Sequence, residues 1–203
     1  MSSRTVHVID DDDGVRDALR FLFEISGYDV RIYESADRFL DGLTGGERGC
    51  IVTDVRTPGL SGLEMAAKLR TLGCKLPIIV ITGHADLPLA VDAMRAGAQD
   101  FIEKPFDDVA ILSAVNRAFA GAEDVVTDND ERAEIVRRLD SLSTRERQVL
   151  EALVAGKANK VTARDLGISP RTVAIYRANV MTKMRADSLS HLVRMAFVAG
   201  RAN

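Results

Sequence analysis

Residues 50–62, CIVTDVRTPGLSG, decide how the first half of this chain folds. Cys50–Thr53 form a short, nearly unbroken apolar run, which suits a strand covered on both faces, and Asp54 ends it. Ser61 then stands three residues before Glu64. That is the spacing of a capping box, in which each side chain accepts a backbone N–H at the start of a helix. A buried strand, an acid at its carboxyl end and a capped helix make the first half of a β-α-β unit.

The same order repeats outward in both directions. Further strands are expected at Thr5–Ile9, Asp29–Tyr33, Ile78–Ile81 and Asp100–Ile102. Between them lie stretches with apolar residues three and four apart, as in Val15, Ala18, Leu19, Leu22 and Phe23, or Leu63, Ala66, Ala67 and Leu69. Gly27 and Gly73 close the first and third helices. Parallel strands need crossover helices, so five such units imply a doubly wound α/β fold with a five-stranded parallel sheet.

Past residue 121 the pattern changes. Residues 122–140 are polar and acidic, and Ile135, Val136, Leu139 and Leu142 recur at helical spacing, so this connector is expected to be partly helical. From 141 the signal is all-α. Ser143 and Glu146 form a second capping box before a helix reaching Ala155, and Asn159–Leu166 is a short helix stopped by Gly167. Ser169-Pro170 opens a third helix running to Met184, and Ser188 caps a fourth. Short helices with a glycine turn describe a helix-turn-helix. The expected division is therefore 1–121, 122–140 and 141–203.

Charge follows that division. Residues 1–121 carry 13 Lys/Arg against 19 Asp/Glu, residues 122–140 three against seven, and residues 141–203 eleven against four. Only the last segment has the sign to meet a polyanion. No apolar run approaches the roughly 18 residues that span a bilayer, and acids follow the short apolar start at once, unlike a signal peptide. Cys50 and Cys74 show no metal-ligand spacing and are expected to be core thiols of a cytoplasmic, reduced protein.

Asp10–Asp13, Asp54, Thr82 and Lys104 all fall at carboxyl ends of expected strands, the edge where open α/β sheets place ligands. An acidic cluster of oxygen donors suits a hard cation such as Mg²⁺. A carboxylate beside that cation can act as a nucleophile, and an ammonium and a hydroxyl can hold the phosphoryl group it accepts. Each feature alone is ordinary; four in this order and phase are specific.

Residues 5–120 resemble the receiver domain of two-component response regulators, through VIDDD, IVTDVRTPG, VITGHAD and DFIEKPF. The resemblance implies that Asp10, Asp11, Asp54 and the backbone carbonyl of Arg56 hold Mg²⁺, and that Asp54 accepts a phosphoryl group from a histidine kinase. It also implies that Thr82 and Phe101 form a switch, that Lys104 binds the phosphoryl group and that Lys104–Pro105 is cis. Thr57 departs from the usual Met. Arg56 and His84 lie two residues past site residues, where family members tune phosphoryl lifetime.

The stretch from Leu142 to Met184 resembles the LuxR/NarL class of helix-turn-helix, through Leu142, Arg145-Glu146, Val149-Leu150, Gly156, Asn159-Lys160, Thr172-Val173 and Asn179. Joined to this receiver, SPRTVAIYRANVMTKM is similar to the FixJ-like response regulators. Pro170–Met184 is then the helix expected in the DNA major groove, with Val173, Val180 and Met184 facing the core. Lys160, Arg171, Thr172, Ala174, Ile175, Arg177, Ala178 and Lys183 are the candidate DNA contacts. The resemblance implies promoter binding as a homodimer on phosphorylation, RNA polymerase as a partner, and activation of nitrogen-fixation or respiratory genes. Two rival classes remain open: a Mg²⁺-dependent aspartyl-phosphate phosphatase, which wants an acid where Arg56 stands, and a receiver acting only through protein contacts.

Overall fold

The apolar runs of the first half pair side by side into one sheet. A computed structural model describes residues 4–45, 47–83, 87–123 and 125–200. It contains β1 (Thr5–Ile9), α1 (Asp13–Ile25), β2 (Asp29–Tyr33), α2 (Ala36–Asp41), β3 (Cys50–Asp54), α3 (Gly62–Thr71), β4 (Ile78–Thr82), α4 (Leu87–Ala96), β5 (Asp100–Glu103) and α5 (Asp108–Glu123). The five strands are parallel in the order β2-β1-β3-β4-β5. Packing divides the chain into two units, Met1–Ala85 with Arg95–Glu123, and Asp86–Met94 with Asp124–Asn203.

In the first unit Val6, Val8, Val52, Ile79 and Ile81 pack with Leu19 and Phe23 of α1 and Ile111 and Val115 of α5. Neighbouring residues along each strand face the other side. β3 and β4 are buried at every position. β2 is not, because it is the edge strand and its outer residues have no neighbour to cover them. Two helical stripes also differ from expectation. Ala18 and Ala67 are exposed, whereas Met65, on the turn of α3 facing the sheet, is buried. The Ser61–Glu64 capping box is formed, and the Lys104–Pro105 bond is cis. Cys50 lies in the core, where burial pushes its thiol up to about 12, while Cys74 is only half-buried past the end of α3.

The second unit contains α6 (Val125–Asp140), α7 (Thr144–Val154), α8 (Asn159–Leu166), α9 (Pro170–Met184) and α10 (Leu189–Val198). Ile135 and Leu139, from the stretch expected to be a connector, join Leu142, Leu153, Val173, Val180, Met184 and Leu192 in one core. The last turns of α6 are therefore a structural part of the helical unit. Fully burying Leu153, Met184 or Leu192 contributes roughly 2–3 kcal/mol each. Ser143 and Glu146 complete their capping box, and Ser169 and Ser188 cap α9 and α10.

No described helix is long and apolar enough to cross a membrane.

Candidate functional site

Strand register brings the acids together. Ile9 pairs with Thr53 across β1 and β3, so the next residues, Asp10 and Asp54, stand beside each other at the carboxyl edge. Asp54 pairs with Ile81 and Thr82 with Glu103, which brings Thr82 and Lys104 to the same edge. The Lys104 backbone N–H donates to the Thr82 carbonyl at 2.7 Å.

Lys104 Nζ donates to Asp10 Oδ2 at 2.8 Å and to Asp54 Oδ2 at 2.6 Å. The remaining oxygens are held by backbone: Asp12 N–H donates to Asp10 Oδ1 at 2.9 Å, and Arg56 N–H to Asp54 Oδ1 at 2.8 Å. Two carboxylates sharing one ammonium at such distances repel by roughly 3 kcal/mol at an effective dielectric near 20. Burial would lower the Lys104 pKa, but hydrogen bonds and charge from Asp10 and Asp54 outweigh it and hold the ammonium above its ordinary value.

The surrounding chain fixes the two acids. Gly62 packs under β3, where a Cβ would collide with the Asp54 carbonyl oxygen. Its N–H donates to Val55 O at 3.0 Å, and Thr57 Oγ1 donates to Leu60 O at 2.7 Å, so the threonine that departs from the family pattern closes this loop. Asp37 Oδ2 accepts Leu60 N–H at 3.1 Å, and Arg16 Nη1 donates to the Asp10 carbonyl at 2.5 Å.

Metal fit can be judged from this donor set. Asp10 and Asp54 are almost entirely buried oxygens with one positive group between them, which leaves a net negative site that suits a hard cation. Asp11 differs: its side chain is exposed, and among the described residues no three His, Cys, Asp or Glu side chains are gathered as ligands. The side chains bring together two of the three expected acids. Thr82 and Phe101 are both buried, Thr82 at the carboxyl end of β4 and Phe101 on β5.

In the second unit, Gly167 takes a left-handed φ of 66° between α8 and α9, and Ile168 N–H donates back to Ala163 O at 3.0 Å. Buried Val173, Val180 and Met184 fix the inner side of α9. Arg171, Ala174, Ile175 and Ala178 are exposed, as is Lys160 on α8, and Thr172 is half-buried at the α9 cap. Two expected contacts are paired with side chains of their own unit, half-buried Arg177 and exposed Lys183. Arg177 Nη1 donates to Asn159 Oδ1 at 2.6 Å, and Lys183 Nζ donates to Glu146 Oε2 at 2.7 Å. Lys183 and the Ser143 cap hold the Glu146 carboxyl below its usual range. Buried Thr162 satisfies its hydroxyl on Ala158 O at 3.2 Å.

The family model for the response regulator receiver domain matches residues 6–116, and that for bacterial regulatory proteins of the luxR family matches residues 140–196. The chain is 58% identical over 200 residues to the transcriptional regulatory protein FixJ of Azorhizobium caulinodans, covering 98% of this chain and 95% of that protein. The chain belongs to the FixJ-type response regulators. It is also 40% identical to the response regulator protein TodT of Pseudomonas putida, over 96% of this chain and 87% of that one. Among solved structures, full-length FixJ from B. japonicum is 47% identical, covers 100% of both chains and gives a TM-score of 0.58.

As a FixJ-type response regulator, with a receiver and a LuxR-type DNA-binding domain, the chain is a transcription regulator, which implies a histidine kinase and DNA as partners. The phosphatase alternative finds no acid at position 56: Arg56 is exposed and only its backbone reaches Asp54. His84 lies outside the described residues. Sequence patterns missed His7, buried in β1 between the Tyr33 hydroxyl (3.3 Å) and the Arg48 carbonyl (3.2 Å). A lone polar residue in the centre of an apolar strand is the signal that could have revealed it.

Proposed function

We propose that this regulator accepts a phosphoryl group on Asp54 from a histidine kinase and thereby controls promoter binding by its helix-turn-helix. The carrying observation is the pair of hydrogen bonds from Lys104 to Asp10 and Asp54. In the transfer, an Asp54 carboxylate oxygen forms a bond to phosphorus, the bond from phosphorus to the donor imidazole nitrogen breaks, and the imidazole leaves with the electron pair. Asp10, Asp11, Asp54 and the Arg56 carbonyl are the groups that would hold Mg²⁺. When bound, the ion supplies charge neutralisation for the phosphoryl oxygens. Lys104 then releases Asp54 Oδ2 to bind the incoming phosphoryl group, and Thr82 Oγ1 donates to one of its oxygens. Phe101 follows Thr82 and carries the change to the surface of the receiver.

The proposed domains are a receiver over 1–121, a helical connector over 122–140 and a DNA-binding domain over 141–203. Phosphorylated receivers dimerise, and paired α9 helices occupy half-sites about one helical turn apart. Lys160, Arg171 and Thr172 contact the DNA backbone, Ala174, Ile175 and Ala178 face the bases, and Arg177 and Lys183 hold α9 in position. The dimer acts in the cytoplasm and recruits RNA polymerase.

Intact-mass spectrometry after acetyl phosphate and Mg²⁺ tests this directly. One phosphoryl group is expected on the wild-type chain and none on Asp54→Asn, with dimerisation and DNA retention rising only in the former. Labelling that survives Asp54→Asn would overturn the assignment.

A further inference from the structure

We infer that α9 reads DNA chiefly through the 5-methyl groups of thymine, by apolar contact, rather than through charged hydrogen bonds to base edges. The inference rests on the proposal that α9 enters the major groove. There, thymine presents the one apolar feature among the base edges.

The exposed face of α9 has the chemistry to meet it. Ile175 is 56% exposed although its neighbours Val173 and Val180 are buried, and Ala174 and Ala178 flank it on the open side. These positions are one residue and three residues from Ile175, so the three side chains make a single methyl-covered patch one turn into the helix. An isoleucine left in water forfeits the stabilisation that burial would supply, and nothing in its own unit covers it.

Four of the polar groups that could compete for base edges are occupied. Arg177 is held by Asn159 and Lys183 by Glu146, while Thr172 Oγ1 shares a 2.8 Å hydrogen bond with Ser169 Oγ. Thr182 Oγ1 donates to Ala178 O at 3.1 Å. Arg171 stands at the N-terminal turn, where it meets phosphate together with the helix amides. Asn179 is exposed next to Ala178, at the edge of the patch farther from the helix start, whereas base contacts of a helix-turn-helix concentrate near that start.

The test uses uracil, which keeps the hydrogen-bonding edges of thymine and lacks only its methyl. Duplexes retained by the full-length protein, with and without acetyl phosphate treatment, are selected from a random pool. Each thymine of the retained sequence is then replaced singly by uracil. One or two positions per half-site should each lose roughly four-fold in affinity, the value of one buried methyl. In Ile175→Ala the same replacements should change affinity by less than about two-fold, since the contact partner is gone. Because Ile175 is exposed, an unchanged melting temperature verifies that this variant is folded. A protein that binds thymine and uracil duplexes equally overturns the inference while leaving DNA binding intact. Failure to retain any duplex would overturn the underlying proposal itself.

Discussion

The two units use their charged residues in opposite ways. In the receiver, functional groups from four separate strand ends are brought to one edge: Asp10 and Asp54 are buried where an ammonium and backbone amides hold them, and Thr82 is buried at the end of the neighbouring strand. In the helical unit, Arg177 and Lys183 are tied up in structural pairs, while Lys160, Arg171 and the methyl patch of Ala174, Ile175 and Ala178 are exposed. Bond-making on a small anion needs charges close together and shielded from water, because their effect grows as the dielectric falls. Recognition of a long surface needs side chains that reach outward, so burial there would destroy function. One chain therefore contains a buried, charge-dense site and an exposed one with a methyl patch.

The largest expected effect tests the buried site. Asp54→Asn should abolish phosphoryl incorporation completely, and an unfolding transition close to wild type would separate lost chemistry from lost fold. Next is the helical core: Met184→Ala should destabilise the second unit by about 2–5 kcal/mol, read by chemical denaturation, while the transition of the first unit stays in place. A smaller effect is expected at Gly62→Ala, where the added methyl meets the Asp54 carbonyl. About 1–3 kcal/mol should be lost there, against little change for Gly83→Ala, whose Cβ meets no neighbour.

The gentlest contrast is in pH. Burial holds the His7 imidazole below its ordinary 6.5, so the unfolded chain takes up that proton first. The first unit should therefore lose stability as pH falls from 6.5 towards the folded value, and hold level below it. Glu146 is held below its ordinary 4.5 by Lys183 and Ser143, so its contribution is complete above that pH and is lost only as pH falls further. An NMR titration of His7 with a midpoint at or above 6.5 would break this contrast.

Much of this arrangement was legible beforehand. Strand positions, both capping boxes, the glycine stops and the Ser169-Pro170 helix start depend on neighbours within a few residues, and all are found where spacing put them. The acids at strand ends were also visible once the strands were known. What local pattern could not reveal were contacts crossing long separations. His7 meets Tyr33 and Arg48, Lys183 meets Glu146, and Arg177 meets Asn159, each through side chains whose partners only packing selects. The exposure of β2 and Ala18 likewise depends on what lies beside them, which periodicity does not encode.

By itself, then, the sequence determined the elements, their order, the split between an acidic α/β half and a basic helical half, and the kinds of side chain at each strand end. Tertiary structure alone decided which of those side chains share a partner. Strand order and register join Asp10 and Asp54 across 44 positions of chain at one lysine. Helix packing decides that Arg177 and Lys183 turn to internal partners and leave Ile175 facing outward. The physical reason is one of range: helix caps and hydrophobic period act over a turn or two, whereas a site is a meeting of distant residues that exists only when the chain has folded.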